Sequence, residues 1–176
     1  MIFKKSAKDE TIDLLFREYR DQLLFYIKEI VKDDFYAEDV LQKTFIQVMR
    51  NSDKIEDISS IKTKNYIITI ARNMAKRSFN QNKKYADRTE PFDDNLIPIE
   101  EKYAMEILAN TALSDQILEC IEYLSDNDQE IINLKYTMGY NDDEISEILD
   151  LKKEAVRQRV SRAKKRLAIT IENIRK

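Results

Sequence analysis

The chain has no histidine and no tryptophan, one glycine, one cysteine and two prolines in 176 residues. Each shortage removes a class of chemistry. Without histidine there is no imidazole to serve as a general base at neutral pH or to bind zinc. A single glycine cannot build a phosphate-cradling loop, and a single cysteine cannot form an intramolecular disulfide or a thiolate cluster. The inventory is a poor one for an enzyme and implies neither a cofactor nor a metal site. Long apolar runs are missing too. None approaches the ~18 residues of a membrane-spanning helix, and MIFKKSAKDE at the N-terminus is not followed by a signal-peptide core. No membrane insertion is expected, and the expected location is the cytoplasm. Cys120, in the apolar series Ile117, Cys120, Ile121 and Leu124, reads as a reduced core residue.

Strand-like alternation is almost absent, so the expected fold is all-α. Both prolines, Pro91 and Pro98, lie in residues 87–98, which lack clear periodicity. That break predicts two small helical domains, residues 1–84 and 101–176, joined by a linker over 85–100. The first should hold helices near 8–31, 36–50 and 59–84, with a loop over 51–58 and Ser59 or Ser60 opening the third helix. The second should hold helices near 101–122, 126–136, 142–149 and 152–173. Ser125 with Asp128, and Asn141 with Glu144, have capping-box spacing. Asp150 occupies the tight turn where glycine would be usual, and Asp tolerates the left-handed conformation better than most residues.

Charge is plentiful, and its arrangement says more than the total of -3. Residues 62–84 carry seven bases and no acid, residues 85–151 three bases and 18 acids, and residues 152–166 eight bases and the single acid Glu154. Two cationic patches therefore flank an acidic middle. A pI near 5.3 would argue against nucleic acid, but binding follows local potential. A fifteen-residue helix is about 22 Å long, well sized for a major groove. In that helix Val156, Val160, Ala163 and Leu167 share an apolar face, and Glu154, Gln158, Ser161 and Lys165 centre on the opposite one, flanked by Arg157 and Arg162. With Lys153 near the helix start, Arg157, Gln158, Ser161, Arg162 and Lys165 are candidate contacts to duplex DNA. The preceding segment 141–149 puts Ile145, Ile148 and Leu149 on one side, which completes a helix-turn-helix pattern. The alternative is a solvated charged face, although such a face ordinarily mixes signs. Asp142, Asp143 and Glu144 are expected only to favour the helix N-terminus.

In the 59–84 helix, Ile67, Ile70, Ala71, Met74 and Ser78 can face a core. Lys62, Tyr66, Thr69, Arg72, Asn73, Lys76, Asn80 and Lys83 are then left outside. Cations track phosphates, and a flat ring stacks on an unpaired base for ~1–3 kcal/mol. Lys62, Tyr66, Arg72, Asn73 and Lys76 are accordingly candidates for single-stranded or melted DNA, the alternative being a solvated helix with one amphipathic Tyr. In the 36–50 helix, Ala37, Val40, Leu41, Phe45 and Val48 can pack inward while Asp39, Gln42, Lys43, Ile46, Met49 and Arg50 face out. An exposed Ile46 and Met49 suit a partner surface.

Residues 37–45, AEDVLQKTF, resemble the AEDLVQETF segment of extracytoplasmic-function (ECF) sigma factors, and residues 66–75, YIITIARNMA, resemble their WLYRIARNLA segment. Residues 139–149 and 156–163 are similar to the family's helix-turn-helix, GLSYEEIAEIL and VKSRLSRA. The likeness covers about residues 12–84 and 112–167. It implies a bacterial RNA polymerase specificity subunit, with sigma region two at the N-terminus and region four at the C-terminus. Core polymerase and promoter DNA are the implied partners. The AED helix, through Asp39, Gln42, Lys43 and Ile46, would dock on the β′ clamp, and region four would dock on the β flap. An anti-sigma factor is a further partner common in the family. The 51–61 loop would capture a base flipped from the non-template strand of the minus-10 element. In the linker, Asp87, Glu90, Asp93, Asp94, Glu100 and Glu101 would either imitate nucleic acid in the polymerase channels or be the ordinary acidity of a linker. Tyr66 stands for the family's usual Trp, Arg77 for Asp, Asn80 for Arg and Lys152 for a capping Ser or Thr, so the promoter sequence does not carry over. Two rivals remain: a freestanding helix-turn-helix regulator, which would not need the AED helix or the Tyr66–Asn73 face, and a nucleic-acid-processing enzyme, which would need a carboxylate cluster or an activated nucleophile.

Overall fold

The computed structural model describes residues 7–83 and 115–174, and every regular element among them is helical. The chain divides into two compact units, Met1–Asp87 and Arg88–Lys176. The expected linker over 85–100, residues 101–114 of the expected 101–122 helix and the end of the 59–84 helix at residue 84 lie outside the described residues.

In the first unit, helices α1 (Ala7–Val31), α2 (Asp34–Arg50) and α3 (Ile61–Lys83) pack against one another in all three pairings. Leu15, Leu23 and Ile27 of α1, Ala37, Val40, Leu41 and Val48 of α2, and Ile67, Ile68, Ala71 and Ala75 of α3 are the buried residues of this core. Each fully buried large side chain contributes about 1.5–3 kcal/mol. Helix α2 begins two residues earlier than its periodicity predicts, because Asp33 takes an extended conformation and its carboxylate accepts from the Tyr36 N–H at 2.9 Å. Of the two candidate caps for α3, Ser60 serves: its Oγ accepts from the Thr63 N–H at 3.1 Å. A short 3₁₀ turn, Ser52–Lys54, interrupts the expected loop.

The inward and outward sides of α2 are those expected, with all five inward residues buried and Asp39 half-buried. On α3 the expected outward residues through Asn80 stay out of the core, but the inward set differs. Ile68 and Ala75 are buried along with Ile67 and Ala71, whereas Ile70, Met74 and Ser78 are only half-buried. At 100° per residue the buried face is turned by roughly 50° from the expected one. The reason is tertiary: α1 and α2 both pack on α3 and bury a face lying between their two directions of approach, which a single-stripe reading misplaces.

The second unit comprises α4 (Asp115–Glu122), α5 (Asp126–Ile132), α6 (Asp142–Leu149) and α7 (Lys153–Ile174). The expected helix over 126–136 is α-helical only to Ile132 and continues as one π turn, Asn133–Thr137. Ile131, Leu134, Ile145, Ile148, Val156 and Ala163 form its core, and Cys120 is buried as expected. Only half of the expected Ser125 capping box exists. Ser125 Oγ accepts from the Asp128 N–H at 3.3 Å, but the Asp128 carboxylate is drawn away to Arg166. The Asn141 box is complete: its Oδ1 accepts from the Glu144 N–H at 3.0 Å, and Glu144 Oε2 accepts from the Asn141 N–H at 2.7 Å. Asp150 is left-handed, with φ 52° and ψ 53°, and turns the chain from α6 into α7.

Candidate nucleic-acid interface

Helix α7 follows α6 after a turn closed by the Leu151 N–H on the Ser146 carbonyl at 2.9 Å. Val156, Val160, Ala163 and Leu167 are buried, which turns Glu154, Arg157, Gln158 and Arg162 to solvent and leaves Lys153, Ser161 and Lys165 half-buried. The expected DNA-contacting set therefore lies on the side of α7 away from its core.

The cations of this helix are not equivalent. Arg166 points back into the unit and pairs with Asp128, so its charge is spent on the fold. Lys153 Nζ lies 2.6 Å from Asp143 Oδ1, and Arg157 Nε lies 3.5 Å from Asp142 Oδ2. Lys135, on the π turn, donates to the other oxygen of Asp142 at 2.8 Å. That hydrogen bond, with help from the charges of Lys135 and Arg157, holds the Asp142 carboxyl below the usual carboxylate range even though burial opposes it. The expectation that Asp142 and Asp143 only favour a helix N-terminus is thus too small. Glu144 does that work through the capping box, while the other two also pair with cations of α7. Their partners are remote in sequence, and only the turn at Asp150 brings them together.

On α3, Lys62 and Asn73 are exposed and Tyr66, Arg72 and Lys76 are half-buried. The steps of four, three, four and three through positions 62, 66, 69, 73 and 76 make one stripe. The turned core of α3 lies directly behind it, with Arg72 at its edge. The loop before α3 is tied down at two points. Tyr19 Oη donates to the Ile58 carbonyl at 2.7 Å, and Thr63 Oγ1 donates to the Asp57 carbonyl at 2.7 Å. Burial, then the nearby Glu18 and Asp57 carboxylates, push the Tyr19 phenol above its usual pKa. Sequence reasoning did not reach Tyr19, which falls on the apolar face of α1 like any core aromatic.

On α2, Gln42, Lys43, Ile46 and Met49 are exposed, and Lys43 Nζ donates to Asp39 Oδ2 at 2.6 Å. Lys43 and Ile46 also edge a groove of about 370 Å³ whose far wall is Met74, Arg77 and Ser78 of α3. The same turn of α3 moves Met74 and Ser78 from the expected core to this wall. Among the described residues no three acids or cysteines gather as a metal site would require, and no helix is long and apolar enough to cross a membrane.

The family model described as Sigma-70 region 2 matches residues 15–85, and that described as Sigma-70, region 4 matches residues 114–167. The chain is 25% identical over 170 residues to the ECF RNA polymerase sigma factor SigX of Bacillus subtilis, covering 95% of this chain and 87% of the relative. It is 27% identical over 158 residues to SigM of the same organism, covering 89% and 93%. Among solved structures it resembles the sigma factor RpoE, crystallised with the anti-sigma factor NepR from Bartonella quintana, with a TM-score of 0.64 and 19% identity over 89% of this chain and 94% of that one. At that identity the likeness speaks for the fold alone.

Proposed function

The chain belongs to the sigma-70 family, in its ECF group, as a non-enzymatic subunit that binds core RNA polymerase and directs it to specific promoters; on that premise we propose how its surfaces divide the work. Neither a freestanding regulator nor a processing enzyme fits that membership. Residues 1–84 hold core polymerase and open the minus-10 element, residues 101–176 read the minus-35 element, and 85–100 link them. Asp39, Gln42, Lys43 and Ile46 meet the β′ clamp, a reading supported by exposed apolar groups beside charged ones on one helix face. Lys62, Tyr66, Arg72, Asn73 and Lys76 take the melted strand. Lys153, Arg157, Gln158, Ser161, Arg162 and Lys165 take duplex DNA, and the second unit docks on the β flap. The cytoplasm, where polymerase meets promoters, is the site of action. An anti-sigma factor, as in the RpoE complex, is a further proposed partner.

The observation that carries this division is the pair of cationic faces, one on each unit and each backed by its own buried core. Reconstitution with core polymerase and run-off transcription from genomic DNA tests the whole. Tyr66→Ala and Asn73→Ala are expected to reduce permanganate reactivity of promoter thymines more than closed-complex binding. Equal loss in both assays would remove the single-strand role from α3.

A further inference from the structure

We propose that Asp142 is a positioning residue for promoter readout, holding Arg157 by its Nε so that the guanidinium meets DNA already oriented. This rests on the reading above that the outer face of α7 meets duplex DNA. Arg157 has its side chain 57% exposed and lies one turn into α7, where base edges are usually approached. An arginine so exposed ordinarily samples many rotamers, and ordering it on binding opposes association. Here Asp142 Oδ2 lies 3.5 Å from Nε. That ion pair is made at Nε and leaves the four hydrogens on the terminal nitrogens, the fork that pairs with the O6 and N7 of guanine, turned away from the carboxylate contact.

Asp142 is itself fixed. It sits in the first turn of α6 behind the complete Asn141–Glu144 capping box, and Lys135 of the π turn occupies its other oxygen at 2.8 Å. Lys135 also answers an electrostatic objection. A carboxylate beside the DNA-facing surface would repel phosphates, but Lys135, Asp142 and Arg157 together keep one positive charge. The neighbouring Asp143–Lys153 pair has no third member among the described residues and is neutral, so Lys153 brings less charge to DNA than Arg157 does. A hydrogen-bonded carboxylate that stays ionised suits this role, since the hold on Arg157 then persists at neutral pH.

The test uses the full-length chain assembled with core polymerase and a binding selection over a randomised minus-35 element. Arg157→Ala is expected to relax the preference at one base pair by about thirtyfold, the middle of what a bidentate contact supplies. Asp142→Asn should relax the preference severalfold at that same base pair, and adding it to Arg157→Ala should change nothing more. Asp142→Glu, which keeps the carboxylate on a longer arm, should retain more of the preference than Asp142→Asn and provides the reading if the Asn variant folds poorly. An Asp142→Asn profile that is unchanged, or that weakens all sequences alike, overturns the positioning role while leaving the DNA face in place. An Arg157→Ala variant with unaltered preference overturns both, because Arg157 would then not read a base at all.

Discussion

Asp128 of α5 and Arg166 of α7 form an ion pair across 38 residues of sequence, with side chains only 8% and 18% exposed. Removing one member of so buried a pair leaves the other charge desolvated, at a cost of about 3–5 kcal/mol. Asp128→Ala is therefore expected to lower the unfolding midpoint of the second unit sharply, whereas replacing both residues with apolar ones should cost less than the two single changes summed. Urea titration followed by helical circular dichroism measures this, and an Asp128→Ala midpoint equal to that of the parent chain would show the pair to be inert.

Tyr19→Phe removes the hydroxyl that anchors the Ile58 carbonyl. The expected loss is about 0.5–1.5 kcal/mol, together with faster amide exchange in residues 55–60 and an altered minus-10 preference. The pH dependence has a definite sign. The phenol pKa is raised above 10.0 in the folded chain, so its contribution is complete below that value and lost as pH rises through the folded one. Tyr19→Phe should remove that alkaline loss. A melting curve against pH that keeps the same alkaline fall in the variant counts against it.

Lys32 and Asp150 are both left-handed, with φ 56° and φ 52°. Glycine adopts this conformation without the Cβ penalty, although it also gains freedom in the unfolded chain. Lys32→Gly should stabilise the first unit by up to about 1 kcal/mol, since the exposed Lys32–Glu29 ion pair that it loses is worth little. Asp150→Gly should gain less, because Asp tolerates the region better. The reverse ranking in urea midpoints would mean that the turn at Asp150 carries more strain than its angles indicate.

Asp39→Ala with Gln42→Ala, or Ile46→Glu alone, should weaken association with core polymerase by about tenfold or more while moving unfolding by no more than about 0.5 kcal/mol, as surface changes usually do. The Asp39–Lys43 pair is exposed and contributes only about 0.3–0.5 kcal/mol. Affinity measured by fluorescence titration of core polymerase decides the matter. Unchanged affinity would move the clamp-facing surface elsewhere.

Base readers and phosphate clamps on α7 should part company. Gln158 and Arg162 are exposed, whereas Lys165 is half-buried and further along the helix. Gln158→Ala or Arg162→Ala is expected to relax selectivity within the minus-35 element by about 1–3 kcal/mol at one position. Lys165→Ala should weaken every sequence alike and lower the salt slope by about one unit. Should both base-reader variants keep the parental preference, α7 does not lie in the groove as assigned.

The sequence by itself determined the helical class, the side of α2 and of α7 that is buried, the Asn141 cap and the left-handed turn at Asp150. All of these depend on residues within a few positions of one another, where a period of 3.6 or a capping side chain acts directly. Tertiary structure decided the rest. Ile68 and Ala75 replaced Ile70, Met74 and Ser78 in the core because two helices approach α3 from different directions, and no single-helix pattern contains the second direction. Arg166 looks like one more cation of a DNA-binding helix until α5 brings Asp128 against it. Asp142 looks like a first-turn acid until the turn at Asp150 swings Arg157 onto it. Charge acts through space, and which charges become neighbours is settled by how helices pack rather than by their order along the chain.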